Sequence, residues 1–261
     1  MSFNGKVVAI TGAAGGIGQS LCRYFAGQGA AIAAIDKSPA LDGFMAEDWA
    51  KAKKTAHAKI DIGERGAVMD AFAGLTATLG PIDILVNNAG FSSHPTFRNT
   101  TPDSWDHEVN GNLNGAYYCA HAVLDGMKAK GSGNIVAIGS VNGLGALGDP
   151  AYSAAKAGMI SLTKSLALEY GRFNIRSNIV LPGTVRTPLW QRRAAKDPTV
   201  LETLRKWYPL GRIVDPEDVA QAVAFLASDA AAAITGIALP VDCGLSAGNI
   251  VMARELTLED F

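Results

Sequence analysis

Short, continuous apolar runs recur along the chain: KVVAIT at 6–11, AAIAAID at 30–36, IDILVN at 82–87, NIVAIG at 134–139, RSNIVL at 176–181 and IALPVD at 237–242. Runs of this kind read as strands covered on both faces, the setting of a parallel sheet. Between them, longer segments at 17–28, 64–79, 103–129, 152–172 and 216–228 have helical character. Strands alternating with helices predict an α/β, doubly wound fold.

The 261 residues suffice for one large core, and no linker or internal repeat divides them, so a single domain over 1–261 is expected. The alternation breaks only at 183–212, GTVRTPLWQRRAAKDPTVLETLRKWYPLGR. A long segment leaving the carboxyl end of a strand in such a sheet commonly covers the ligand crevice, so this one is a candidate substrate lid, helical in part.

Composition removes several function classes. A formal net charge of -1 gives no overall attraction for nucleic acid, and no apolar run is long enough to span a membrane. Cys22, Cys119 and Cys243 are odd in number and widely separated, which fits neither a zinc site nor a disulfide framework. No metal is predicted, and the expected setting is the reducing cytoplasm.

Chemistry enters at TGAAGGIG, residues 11–18, between the first strand and the first helix. Glycines allow close backbone approach there, and the N–H groups and positive dipole end of the helix suit a pyrophosphate. Asp36 closes the second strand at the spacing where an acid accepts hydrogen bonds from an adenosine ribose and repels a 2′-phosphate. That pattern favours NAD over NADP, although neighbouring Lys37 could draw a phosphate. In AYSAAK, 151–156, Tyr152 and Lys156 are four apart and share one face of a helix. A lysine cation beside a phenol favours the phenolate, and a phenolate can take an alcohol's proton.

With these pieces in order, the chain resembles the short-chain dehydrogenase/reductase family along essentially its whole length. The resemblance rests on TGAAGGIG, NNAG at 87–90, Asn112 in VNGNLNG, Ser140 in IGSVNG, Tyr152 and Lys156 in YSAAK, and PGTVRT at 182–187. It implies a Rossmann-type sheet of about seven strands with helices on both faces, a nicotinamide cofactor, and a homotetramer or homodimer. It further implies catalytic roles for Asn112, Ser140, Tyr152 and Lys156. Cofactor contacts are implied for Gly12, Gly16, Ile17, Gly18, Asp36, Asp61, Ile62, Asn88, Ala89, Gly90, Tyr152, Lys156, Pro182, Gly183, Val185 and Thr187. Two departures stand out: Gly139 replaces a serine common in the family, and the spacing from Ser140 to Tyr152 is one residue short of a common one.

The implied partner is a small-molecule alcohol or carbonyl compound. Ser92, His94, Asn142, Asp149, Trp190 and Arg193 are the substrate-side candidates, and their polarity favours a sugar, polyol or other hydroxylated compound. The lid carries Arg186, Arg192, Arg193, Lys196, Arg205, Lys206 and Arg212 against Asp197 and Glu202, which could recruit an anionic substrate or form a solvated helix face. Alternatives are a 3-oxoacyl, diol or hydroxysteroid-type reductase of the same family, or a noncatalytic nucleotide sensor.

Overall fold

The computed structural model describes residues 1–51, 54–188, 190, 195–197 and 199–259. The six apolar runs form β1 (Val7–Thr11), β2 (Ala31–Asp36), β4 (Ile84–Asn87), β5 (Gly133–Ile138), β6 (Ile175–Pro182) and β7 (Ala238–Val241), and β3 (Thr55–Lys59) makes the seventh strand. β3 is absent from the apolar runs because TAHAK lies at the sheet edge, partly exposed along its length. All pairings are parallel, in the order β3-β2-β1-β4-β5-β6-β7. The chain winds outward from β1 to β3, then returns to place β4 on β1's other side. Beyond the carboxyl ends of these two central strands opens the crevice where such sheets bind ligands.

Among the described residues the α-helices are α1 (Gly16–Gly27), α2 (Ala40–Met45), α3 (Asp48–Lys51), α4 (Arg65–Leu79), α5 (Pro102–Val109), α6 (Gly115–Lys130), α7 (Pro150–Tyr170), α8 (Val200–Arg205), α9 (Pro216–Ala227) and α10 (Ile250–Thr257). Alternate strand residues point to opposite faces. Val8, Ile10 and Ile32 pack with Leu21 and Phe25 of α1 and Val219 and Val223 of α9. Val7, Ala9 and Ile35 pack on the other face with Phe72 of α4 and Val123 and Met127 of α6. Ile179 and Leu181 meet Met159 of α7 in a third cluster. Burial on both faces explains why these strands read as continuous apolar runs. Among the described residues, no helix is long and apolar enough to cross a membrane.

The helical run expected at 103–129 is not one continuous α-helix. A π-helical turn, Asn110–Asn114, separates α5 from α6. Its cause is local: the Asn112 side-chain amide donates to the carbonyl of Glu108 four residues back, at 2.8 Å, competing for an acceptor that a backbone N–H would otherwise use. Wide turns of this kind recur where a helix serves a functional site.

Candidate active site

The glycine loop delivers α1 to the crevice with a free N-terminus, since no side chain caps it. Its first N–H groups remain available to an anion. Gly18 is fixed by packing: a Cβ there would lie 2.0 Å from the carbonyl oxygen of Gly12. Asp36 does double duty, because its carboxylate accepts from Ala14 N–H at 2.9 Å and Ser38 N–H at 2.8 Å. The acid that would face a ribose thus also holds the glycine loop in shape.

The resulting cleft has a volume of about 430 Å³. Of the expected cofactor residues, Gly12, Gly16, Ile17, Gly18, Asp36, Asp61, Ile62, Asn88, Ala89, Gly90 and Thr187 line it. Pro182 ends β6, Gly183 follows it, and Val185 forms a bridge with Val214; neither these three nor Tyr152 and Lys156 line the cleft wall. Asn88 ties the cleft floor together, donating to the carbonyls of Thr11 at 2.8 Å and Gly12 at 3.1 Å. An uncapped helix end, an acid across from it and an extended groove fit the diphosphate and ribose of a dinucleotide.

Lys37, already noted beside Asp36, lines the cleft, as does Phe91, which the sequence motifs did not indicate. Lys37 pairs with Asp61 at 3.0 Å and sits 4.9 Å from the centre of the Phe91 ring. Gly63 N–H and Lys37 hold the Asp61 carboxyl below its ordinary range, against the opposing effect of burial. The basic residue beside Asp36 is therefore already engaged by a second acid.

The four predicted catalytic residues are not part of the cleft lining, and Gly90 of that lining borders two of them, Asn112 and Lys156. Lys156 is almost wholly buried; its ammonium donates to the Ile138 carbonyl at 2.8 Å and lies 5.5 Å from the centre of the Tyr152 ring. Burial pulls its pKa down from 10.5 to about 8. A Cβ on Gly90 would lie 2.8 Å from Asn112 Oδ1 and 3.1 Å from Lys156 Nζ, so those two groups are within about 6 Å of each other. Asn112 is fully buried and donates to the Phe91 carbonyl at 2.9 Å while accepting from Phe91 N–H at 3.2 Å.

Tyr152 departs from the electrostatic expectation. Burial pushes the phenol above its ordinary value, the Ser140 side chain draws it back down, and the Asp149 carboxylate raises it further. Lys156, with its ammonium 5.5 Å from the ring centre, is not among the groups that set this balance. Ser140 caps the turn Val141–Gly143, accepting from Asn142 N–H at 3.1 Å and donating to Asn142 Oδ1 at 3.3 Å.

The substrate-side candidates divide. Ser92 donates to Asp149 Oδ1, and Asn142 Nδ2 donates to Gly148 O at 3.3 Å and Ser153 Oγ at 3.2 Å, so these residues form one rim beside Tyr152. His94 is half-buried on the same loop as Ser92, and Trp190 is half-buried. Arg193 lies outside the described residues. Glu108, missed by motif reading, is buried beneath the Ser92 loop and accepts from Ser93 N–H at 3.0 Å. Only its placement on a helix one turn before Asn112 could have drawn notice.

The expected lid contains α8 among its described residues, and much of its positive charge is compensated. Arg186 pairs with Asp215 at 3.0 Å, Arg205 with Glu202 at 2.9 Å and Arg212 with Asp218 at 2.6 Å. Tyr208 is buried, its hydroxyl accepting from Thr184 N–H at 2.9 Å, so it braces the base of the segment.

Residues 12–246 match the family profile described as enoyl-(acyl carrier protein) reductase. An uncharacterized oxidoreductase of Schizosaccharomyces pombe is 44% identical over 261 residues, spanning 100% of this chain and 98% of that one. A solved short chain dehydrogenase/reductase family oxidoreductase from Burkholderia thailandensis shares 50% identity with a TM-score of 0.92 over 98% of both chains. A gluconate 5-dehydrogenase from Burkholderia cenocepacia, solved with NADP and tartrate, shares 33% identity with a TM-score of 0.88 over 95% of this chain and 97% of that one. With the ordered motifs, the parallel seven-stranded sheet and relatives matching end to end, the chain belongs to the short-chain dehydrogenase/reductase family of oxidoreductases.

Proposed function

We propose that this oxidoreductase interconverts a secondary alcohol and a carbonyl compound, prefers NAD, and takes a polyhydroxylated substrate such as a sugar or polyol. The observation that carries the reading is the buried Lys156 ammonium, set beside the Tyr152 ring and within reach of Asn112. Burying an ammonium is costly, which marks a buried one as a candidate functional group, and here its neighbour is the Tyr152 phenol. A nicotinamide held in the cleft would supply the acceptor for the hydride that leaves the alcohol carbon. Tyr152 takes the hydroxyl proton in that direction and returns it in reduction. Ser140 hydrogen-bonds the substrate oxygen as its charge changes, Lys156 holds the nicotinamide ribose, and Asn112 anchors a water that relays protons.

Support for NAD comes from Asp36 and from Lys37, whose cation is paired with Asp61. The gluconate 5-dehydrogenase relative was solved with NADP, so the preference is a property to be measured on this chain. Asp36→Ala is expected to lower the NAD/NADP ratio of kcat/KM by about tenfold, the scale of removing one close like charge. Steady-state kinetics with both cofactors check it, and an unchanged ratio contradicts the assignment. Because Asp36 also supports the glycine loop, affinity for both cofactors should fall, which makes the ratio the informative quantity.

That relative is a gluconate 5-dehydrogenase, and a hydroxylated substrate agrees with the polar rim of Ser92, Asn142 and Ser153. A 3-oxoacyl reductase is the second reading, favoured by relatives named acetoacetyl-CoA reductase and 3-oxoacyl-(acyl-carrier-protein) reductase, 37% and 36% identical to this chain. Assembly into a homotetramer or homodimer is consistent with apolar surface on α6 and α7, where Tyr117 is half exposed and Leu168 is 89% exposed.

A further inference from the structure

Asp149 opens α7, and a helix-opening aspartate ordinarily turns its carboxylate onto the free N–H groups of the first turn. This one makes no such cap. Its backbone is left-handed, with φ 50° and ψ 66°, a region that non-glycine residues occupy rarely and at a cost. Asp149 N–H donates to the Pro95 carbonyl at 3.0 Å, and Asp149 Oδ1 accepts the Ser92 hydroxyl. Oδ2 accepts no hydrogen bond among the described residues. The carboxylate is thus withheld from its helix and stands at the rim of the site, three residues before Tyr152 and close enough for its charge to act on that phenol.

The rim is rigid as well as polar. Asn112 clamps Phe91 from below, Glu108 holds Ser93 N–H, and Pro95 is fastened to Asp149. On the other side, Asn142 links the turn that begins with Ser140 to the carbonyl of Gly148. Asp149 is therefore placed between two tethered loops, with Ser140 and Tyr152 completing the same edge. Its charge is felt at the phenol, which it makes harder to ionise. A carboxylate that opposes phenolate formation at a site needing a phenolate calls for a compensating role.

We propose that Asp149, oriented by Ser92, is a specificity-determining residue that accepts a hydrogen bond from a second substrate hydroxyl on the carbon next to the reacting one. This rests on the alcohol–carbonyl reading above and narrows its substrate class to vicinal diols and α-hydroxy carbonyl compounds, sugars and polyols among them. The chemistry is selective because the ionised carboxylate has only acceptors to offer, and the Ser92 hydroxyl has spent its proton on it. A substrate with a donor on the adjacent carbon is held, whereas a methylene, ether or thioester leaves the carboxylate unpaired.

The test compares cyclohexane-1,2-diol with cyclohexanol, and a polyol with its deoxy analogue at the adjacent carbon. Wild type should favour the diol member of a pair by about 10–100-fold in kcat/KM, the scale of one hydrogen bond to a charged group. Asp149→Asn keeps the side chain's shape and an acceptor for Ser92, and should cut that preference by about tenfold; Asp149→Ala should bring it close to unity. Ser92→Ala retains the carboxylate and should keep part of the preference, which separates charge from loop geometry. Cofactor affinity from quenching of intrinsic fluorescence confirms that each variant is folded. Wild-type turnover with the same diol preference in both Asp149 variants overturns this inference alone. Wild-type inactivity on every pair overturns the redox reading and this inference together.

Discussion

Tyr152→Phe is expected to lower kcat on the order of 10²–10⁴-fold in either direction while leaving cofactor affinity within about threefold. The substitution removes one oxygen and no ring volume, so α7 and its packing are preserved. What disappears is the phenol proposed to exchange the alcohol proton. Ser140 stays in place and can still hydrogen-bond the substrate oxygen, which leaves a small residual rate. Steady-state kinetics beside fluorescence titration of the cofactor make the check. Near-full turnover in the variant contradicts the acid/base assignment.

The second large effect is expected at Lys156. Lys156→Met should lower kcat/KM by about 10²–10³-fold and weaken the cofactor, since one cation near the reacting centre is lost. Its effect on stability should run differently. Removing a buried ammonium relieves desolvation, while the Ile138 carbonyl loses its partner, a loss of about 1–3 kcal/mol that partly offsets the gain. Lys156 has a folded-state pKa of about 8 against an ordinary 10.5. Between those values the unfolded chain holds the proton and the folded chain does not, so wild-type stability rises with pH across that window. Below about pH 8 both states are protonated and the burial penalty is at full strength. Thermal melts should therefore show wild type gaining on Lys156→Met from about pH 8 to 10.5. A pH-independent difference would mean that the lysine is not titrating in the buried site.

These two residues also mark how much of the site was legible in sequence. Four-residue spacing put Tyr152 and Lys156 on one helical face, and the structure has them there, 5.5 Å apart from ammonium to ring centre. Spacing could not reveal that the ammonium points at Ile138 O, a choice made by the fold of β5. Continuous apolar runs marked six strands because both faces of the sheet are covered. β3 lacked that signal because an edge strand has less to bury. The π-turn at Asn110–Asn114 is invisible to periodicity, since one side-chain hydrogen bond from Asn112 creates it.

Long-range pairing was the other blind spot. Two of the lid's cations, Arg186 and Arg212, are engaged by Asp215 and Asp218, just beyond the segment's end. Lys37, beside Asp36 in sequence, is paired with Asp61, 24 residues away. The Ser92–Asp149 contact joins residues 57 positions apart and depends on how the loops after β4 and β5 meet. Such pairs are products of topology, and no local pattern encodes them.

The central claim is that this chain moves a hydride between a hydroxylated carbon and a nicotinamide. The most direct measurement is the growth of reduced-cofactor absorbance when the wild-type protein is mixed with NAD, and in parallel with NADP, across a panel of sugars, polyols, hydroxy acids and simple secondary alcohols. The structure predicts reduction of NAD by at least one polyhydroxylated member, faster than with NADP. Bound cofactor without reduction by any alcohol in the panel, and without its oxidation by the matching carbonyl compounds, would contradict it.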